Sequence, residues 1–140
     1  MNVNGACSIV LPVDGSDNSL RAVRLVIRLH AKLALLSVRL LHVRLPLMPV
    51  GGESGGTDLA EAATEETLTS ATALLDAASV PYTSAIANGY VGSTIVAYAR
   101  EHGCDGIVMG TRGMGSTEEL LGSIARQVIH LADLPVTLVK

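Results

Sequence analysis

The residues of this chain best suited to chemistry are glycines. Gly110-Thr111-Arg112-Gly113-Met114-Gly115 follows the apolar run Ile107-Val108-Met109, and Gly122-Ser123 opens a second helical pattern. Glycine lets the backbone take positive φ and lets a ligand reach the main chain with no Cβ in the way. Successive N–H groups in such a turn, with the helix N-terminus that follows, form a cradle for an anion. Arg112 adds a cation and Ser123 a hydroxyl. The chemistry such a pattern serves is phosphate binding, with two helix starts converging on one phosphate chain. Neither G-x-x-x-x-G-K-S/T nor G-x-G-x-x-G occurs, which argues against a P-loop NTPase or a dinucleotide site.

The other polar turn of note is Asp14-Gly15-Ser16-Asp17, after the run Cys7–Val13. Asp14 can cap the turn or the helix that follows. Arg112 reads equally as a loop residue in solvent, and Ser123 as an N-cap with or without a ligand. Gly89 and Gly92 serve the turn after the third strand, which opens towards the same edge of the sheet. His42 sits inside an apolar run and reads as a satisfied core histidine. His30, His102 and His130 share no metal spacing. Cys7 and Cys104 are isolated and read as reduced, buried thiols. No Ser/His/Asp or Cys/His set is recognisable, so catalysis has little support.

Short apolar runs alternate with helical patterns throughout, the signature of βα units on a parallel sheet. Strands are expected at Cys7–Val13, Val38–Val43, Pro81–Ala87, Asp105–Met109 and Pro135–Val139. The alternation in Leu134–Val139 marks the last as an edge strand. Helices are expected from about Asn18 into the 30s, from Asp58 to about Ala78, from the 88–93 turn to near His102-Gly103, over Ser116–Leu121, and over Ser123–Ala132. Ser116 and Glu119 read as a capping box. Residues 44–57, with two prolines and four glycines, form a loop.

The 140 residues suit one domain spanning 1–140. Apolar residues make up 49 %, with no Trp, no Phe and three Tyr, so the core is aliphatic, as in a parallel sheet buried on both faces. Net charge is −3 with no dense basic run, which argues against nucleic-acid binding. The apolar stretches are too short to span a bilayer. The first residues lack a secretory signal, so a cytoplasmic location is expected.

The chain resembles the universal stress proteins. Ile9–Ser16 (IVLPVDGS), Leu40–Val43 (LLHV), Met109-Gly110-Thr111-Arg112-Gly113, Gly122-Ser123 and the terminal PVTLVK match the family's motif positions in order and spacing. The resemblance implies an α/β fold: an open five-stranded parallel sheet in the order 3-2-1-4-5, helices on both faces, and a ligand site at the switch point between strands 1 and 4. It implies ATP, or AMP or ADP, with Mg²⁺. Pro12, Val13 and Asp14 would meet adenine and ribose, with Asp14 accepting from a ribose hydroxyl, and Val43 would pack on the adenine. Met109, Gly110 and Gly113 would line the ribose and phosphates, with Arg112 beside them, and Gly122, Ser123 and Ile124 would hold the phosphate tail. It also implies a homodimer through Val136–Val139, which would remove an exposed edge.

One departure stands out. Eight residues separate Gly113 from Gly122, where the family's nucleotide-binding branch has nine, and Glu118 and Glu119 fall among them. Three readings follow: a dimeric, nucleotide-binding stress-response switch whose 44–57 loop governs an unknown regulatory partner; the same fold as an interaction module without nucleotide; and, least supported, a slow ATPase.

Overall fold

The computed structural model describes residues 6–33, 36–46, 55–112 and 121–140. Gly113, the 116–119 capping box and most of the 44–57 loop lie outside them. The chain runs β1 (Cys7–Pro12), α1 (Asp17–Lys32), β2 (Leu36–Arg44), α2 (Gly55–Ala77), β3 (Tyr82–Asn88), α3 (Val91–Glu101), β4 (Gly106–Gly110), α4 (Ser123–Leu131) and β5 (Val136–Val139). All four strand pairings are parallel, in the order β3-β2-β1-β4-β5. This is the sheet the sequence led us to expect, with β5 at one edge.

Side-chain alternation in β1 sets the layers, because successive residues point to opposite faces. Ile9 and Leu11 join Ala22, Val23 and Val26 of α1 and Ala71 and Leu75 of α2 on one face. Val10 joins Ile95, Val96 and Ala99 of α3 and Ala125 and Val128 of α4 on the other. Leu11, Leu40, Leu41, Leu75, Ile95 and Ile107 are fully buried, so the core is aliphatic as its composition requires. The helix pairs lie on opposite faces, and the direction of strand order reverses between β1 and β4. Their carboxyl ends therefore diverge around a crevice. No helix among the described residues is long and apolar enough to cross a membrane.

Several local expectations need correction. α2 begins at Gly55 rather than Asp58. Packing of Ala71 and Leu75 fixes the helix, and its N-terminal turns propagate through residues of poor propensity. Leu121 is not helical. Gly92 belongs to α3, not to the turn, and a Cβ there would strike Gln127 of α4. Cys7, the first residue of β1, is exposed, while Cys104 is half-buried. What burial Cys7 has, with the Asp105 carboxylate nearby, pushes its thiol pKa up.

Candidate functional site

The turn after β1 is built by three residues with separate tasks. Gly15 has φ +88°, a left-handed conformation that glycine adopts without strain. Asp14 Oδ1 accepts from the Ser16 N–H at 2.9 Å and from the Ser16 hydroxyl. Ser16 is the N-cap of α1, its Oγ accepting from Ser19 N–H at 3.1 Å. Asp14 thus braces the cap rather than forming it, and it remains half-buried where β1 opens.

Strand β2 holds this turn from the side. The Val13 N–H donates to the Leu41 carbonyl at 2.9 Å. His42 Nδ1 lies 2.8 Å from the Val13 carbonyl, which can only accept, so Nδ1 carries the proton. His42 is therefore satisfied, as expected, but half-buried rather than in the core. Leu41 C=O faces β1, and Arg44 C=O faces β3, accepting from Gly89 N–H at 2.9 Å. In a parallel ladder the facing alternates residue by residue. Val43 therefore turns its N–H and C=O towards β1, which pairs with β2 only as far as Pro12 opposite Leu41. A donor and an acceptor face the gap that β1 leaves.

On the other side of the crevice, β4 ends in Gly110, and the turn is tied down at once. Thr111 N–H donates to the Val139 carbonyl at 3.0 Å, and Arg112 N–H to Asn18 Oδ1 at 2.7 Å. The expected cradle of successive turn amides is not built from these two, since both are spent on the protein. Gly110 is glycine for the same reason: a Cβ would fall on the Asn18 side chain, not on a ligand. The amides of this crevice that could receive an anion are instead those of the first turn of α4. Gly122, not Ser123, is its N-cap, and as a glycine it has no side chain of its own to cap the helix. The N–H groups of Ser123, Ile124 and Ala125 have no intrahelical acceptor, and Ser123 itself is exposed.

These ends enclose a cavity of about 530 Å³, within the range of small-molecule sites. Pro12, Val13, Asp14, Val43, Met109, Gly110, Arg112, Gly122, Ser123 and Ile124 all line it. Of the residues expected to contact the nucleotide, only Gly113 lies outside the described residues. Ser19, Val91, Ile95, Thr111 and Ala125 also line it and were missed. The Gly89 turn, noted as opening towards this edge, was the available signal for Val91. Asp14 is the one carboxylate among the described lining residues. A second cavity of about 800 Å³ adjoins at Asp14, Val43 and Val91 and runs under α2.

Residues 8–140 match the universal stress protein family. The chain belongs to that family. It is similar to a universal stress protein of Methanocaldococcus jannaschii, 34 % identical over 138 residues that cover 94 % of this chain and 81 % of the relative. Among solved structures, the universal stress protein from Archaeoglobus fulgidus in complex with dAMP is 27 % identical, with TM-score 0.70 and coverage of 96 % and 98 %. A universal stress protein from Lactobacillus plantarum, 22 % identical with TM-score 0.75 and coverage of 96 % and 97 %, shares the fold. Family membership and sheet order thus agree with the sequence motifs.

Proposed function

We propose that this universal stress protein binds an adenine nucleotide in the crevice between β1 and β4 and serves as a nucleotide-responsive regulatory module. The observation that carries the reading is the two-ended 530 Å³ cavity. At one end Val43 offers a main-chain donor beside an acceptor, with Pro12, Val13 and Asp14 around them. At the other lie Arg112 and the start of α4, whose N-cap is a glycine. The dAMP complex of the Archaeoglobus fulgidus relative supports the same ligand class.

In this reading the Watson–Crick edge of adenine, an acceptor beside an amino donor, meets Val43 N–H and C=O. Val43 and Met109, both buried, present apolar surface to the base. Asp14 accepts from a ribose hydroxyl while its Oδ1 keeps Ser16. The first-turn amides of α4, Ser123 Oγ and Arg112 take the phosphates, favoured by the helix dipole. The cavity's chemistry fits AMP, ADP or ATP. With Asp14 the one lining carboxylate among the described residues, Mg²⁺ would be held mainly by the phosphates and would offset their charge. Dimerisation through the half-exposed edge strand Val136–Val139, with nucleotide occupancy read out by a protein partner, completes the proposal.

Base selectivity tests it. Guanine reverses the donor–acceptor order at this edge, leaving two like groups opposed. Each mismatch costs about 1–2 kcal/mol, so dGMP should bind at least about thirtyfold more weakly than dAMP. Equal affinities in a competition titration would remove Val43 from base recognition.

A further inference from the structure

Asn18 is among the few buried polar side chains of the described residues, 7 % exposed, and the cavity lining does not include it. A buried amide is costly unless its groups find partners, and here they join three elements. Oδ1 accepts from Arg112 N–H at 2.7 Å, and Nδ2 donates to the Val139 carbonyl at 3.1 Å. The same carbonyl accepts from Thr111 N–H at 3.0 Å, and the Thr111 carbonyl accepts from Gly122 N–H at 2.7 Å. One side chain at the start of α1 thus fixes the turn after β4, the last residue of β5, and, through Thr111, the residue that begins α4. Its space is the space a Cβ on Gly110 would occupy, so the glycine and the asparagine form one fitted pair.

We infer that Asn18 is a positioning residue: it latches the 110–112 turn to the end of β5 and so sets the placement of Arg112 and of the α4 start around a bound phosphate. The ligand part rests on the nucleotide reading above; the latch itself does not. Because Val139 ends the edge strand, the latch also makes the turn sensitive to whatever pairs with β5.

Two measurements on the full chain separate the parts. Asn18→Ala removes the latch. Val26→Ala, buried on the same helix but facing the core, destabilises without touching the turn. In nucleotide-free protein, Asn18→Ala should speed local exchange of the Arg112 amide by about tenfold or more, while Val26→Ala leaves it within about twofold. In titrations, dAMP should bind Asn18→Ala at least about fivefold more weakly than Val26→Ala. Unchanged Arg112 exchange in Asn18→Ala overturns the latch; altered exchange with unchanged affinity overturns its link to the ligand. If wild-type protein binds no dAMP, the nucleotide reading fails, and the exchange contrast still decides the latch. Should Asn18→Ala not fold, Asn18→Leu, similar in shape but with neither donor nor acceptor, replaces it, and unchanged Arg112 exchange there overturns the latch.

Discussion

Replacing Gly92 with alanine should loosen the helix pair that forms one wall of the cavity. Gly92 is the second residue of α3. A Cβ there would lie 2.7 Å from Gln127 Cβ and 2.6 Å from its Oε1. Carbon atoms pack comfortably at about 3.5–4.0 Å, so the helices must part by about 1 Å. The Gln127 amide is exposed and can swing aside; its Cβ is fixed to α4 and cannot. Parting α3 from α4 loosens Ile95, Val96 and Ala99 against Ala125 and Val128, all of them buried. Overpacking of this kind costs about 1–3 kcal/mol. A chain of this length unfolds with an entropy near 0.3 kcal/mol/K, so the melting point should fall by about 3–10 °C. The α4 start moves with its helix, and dAMP affinity should fall with stability. The assay is thermal unfolding of a double-mutant cycle. Gln127→Ala should leave most of the penalty, because the Cβ remains. Gln127→Gly should relieve it, giving a coupling of about 1 kcal/mol or more despite its own helix cost. A melting point for Gly92→Ala within about 2 °C of wild type, or strict additivity with Gln127→Gly, would refute the close approach.

Further outcomes follow from individual residues. Ser16→Ala removes the α1 cap bond and should cost about 1 kcal/mol, lowering the melting point by about 3 °C. Cys7 holds its proton above the ordinary thiol range, and the thiolate is the nucleophile, so iodoacetamide should label it more slowly near neutral pH than it labels an unfolded peptide. The sign also fixes the stability effect: the contribution is present below the ordinary thiol pKa and fades as pH rises through the raised one. Asp105→Asn removes the nearby charge and should speed labelling; an unchanged rate, read site by site against Cys104, would contradict the cause given.

Periodicity and residue type carry the sheet, because β-branched runs such as Ile9–Val13 and Ile107–Met109 are short, apolar and bounded by turn residues. The 1–4 switch point came from the family motifs, since strand order is a non-local property that no window of residues encodes. Most cavity residues were legible as the ends of β1 and β4 and the start of α4. Their roles were less so. Gly110 looked like room for a ligand, yet its missing Cβ makes room for Asn18, a partner 92 positions away in sequence. The N-cap shifted from Ser123 to Gly122 because the Gly122 N–H closes onto Thr111, which sets where helical geometry can begin. Gly92 read as a turn residue because a close approach between two helices leaves no local signature.

The central claim is that the crevice takes an adenine nucleotide despite the eight-residue spacing from Gly113 to Gly122. Its most direct test is a calorimetric titration of nucleotide-stripped protein with dAMP and with Mg-ATP, run at two temperatures so that a vanishing enthalpy does not hide binding. Saturable binding at micromolar affinity, about −8 kcal/mol, is the predicted result. Absence of heat for both ligands at both temperatures, at high concentration, would contradict it and leave the fold as a protein-interaction module.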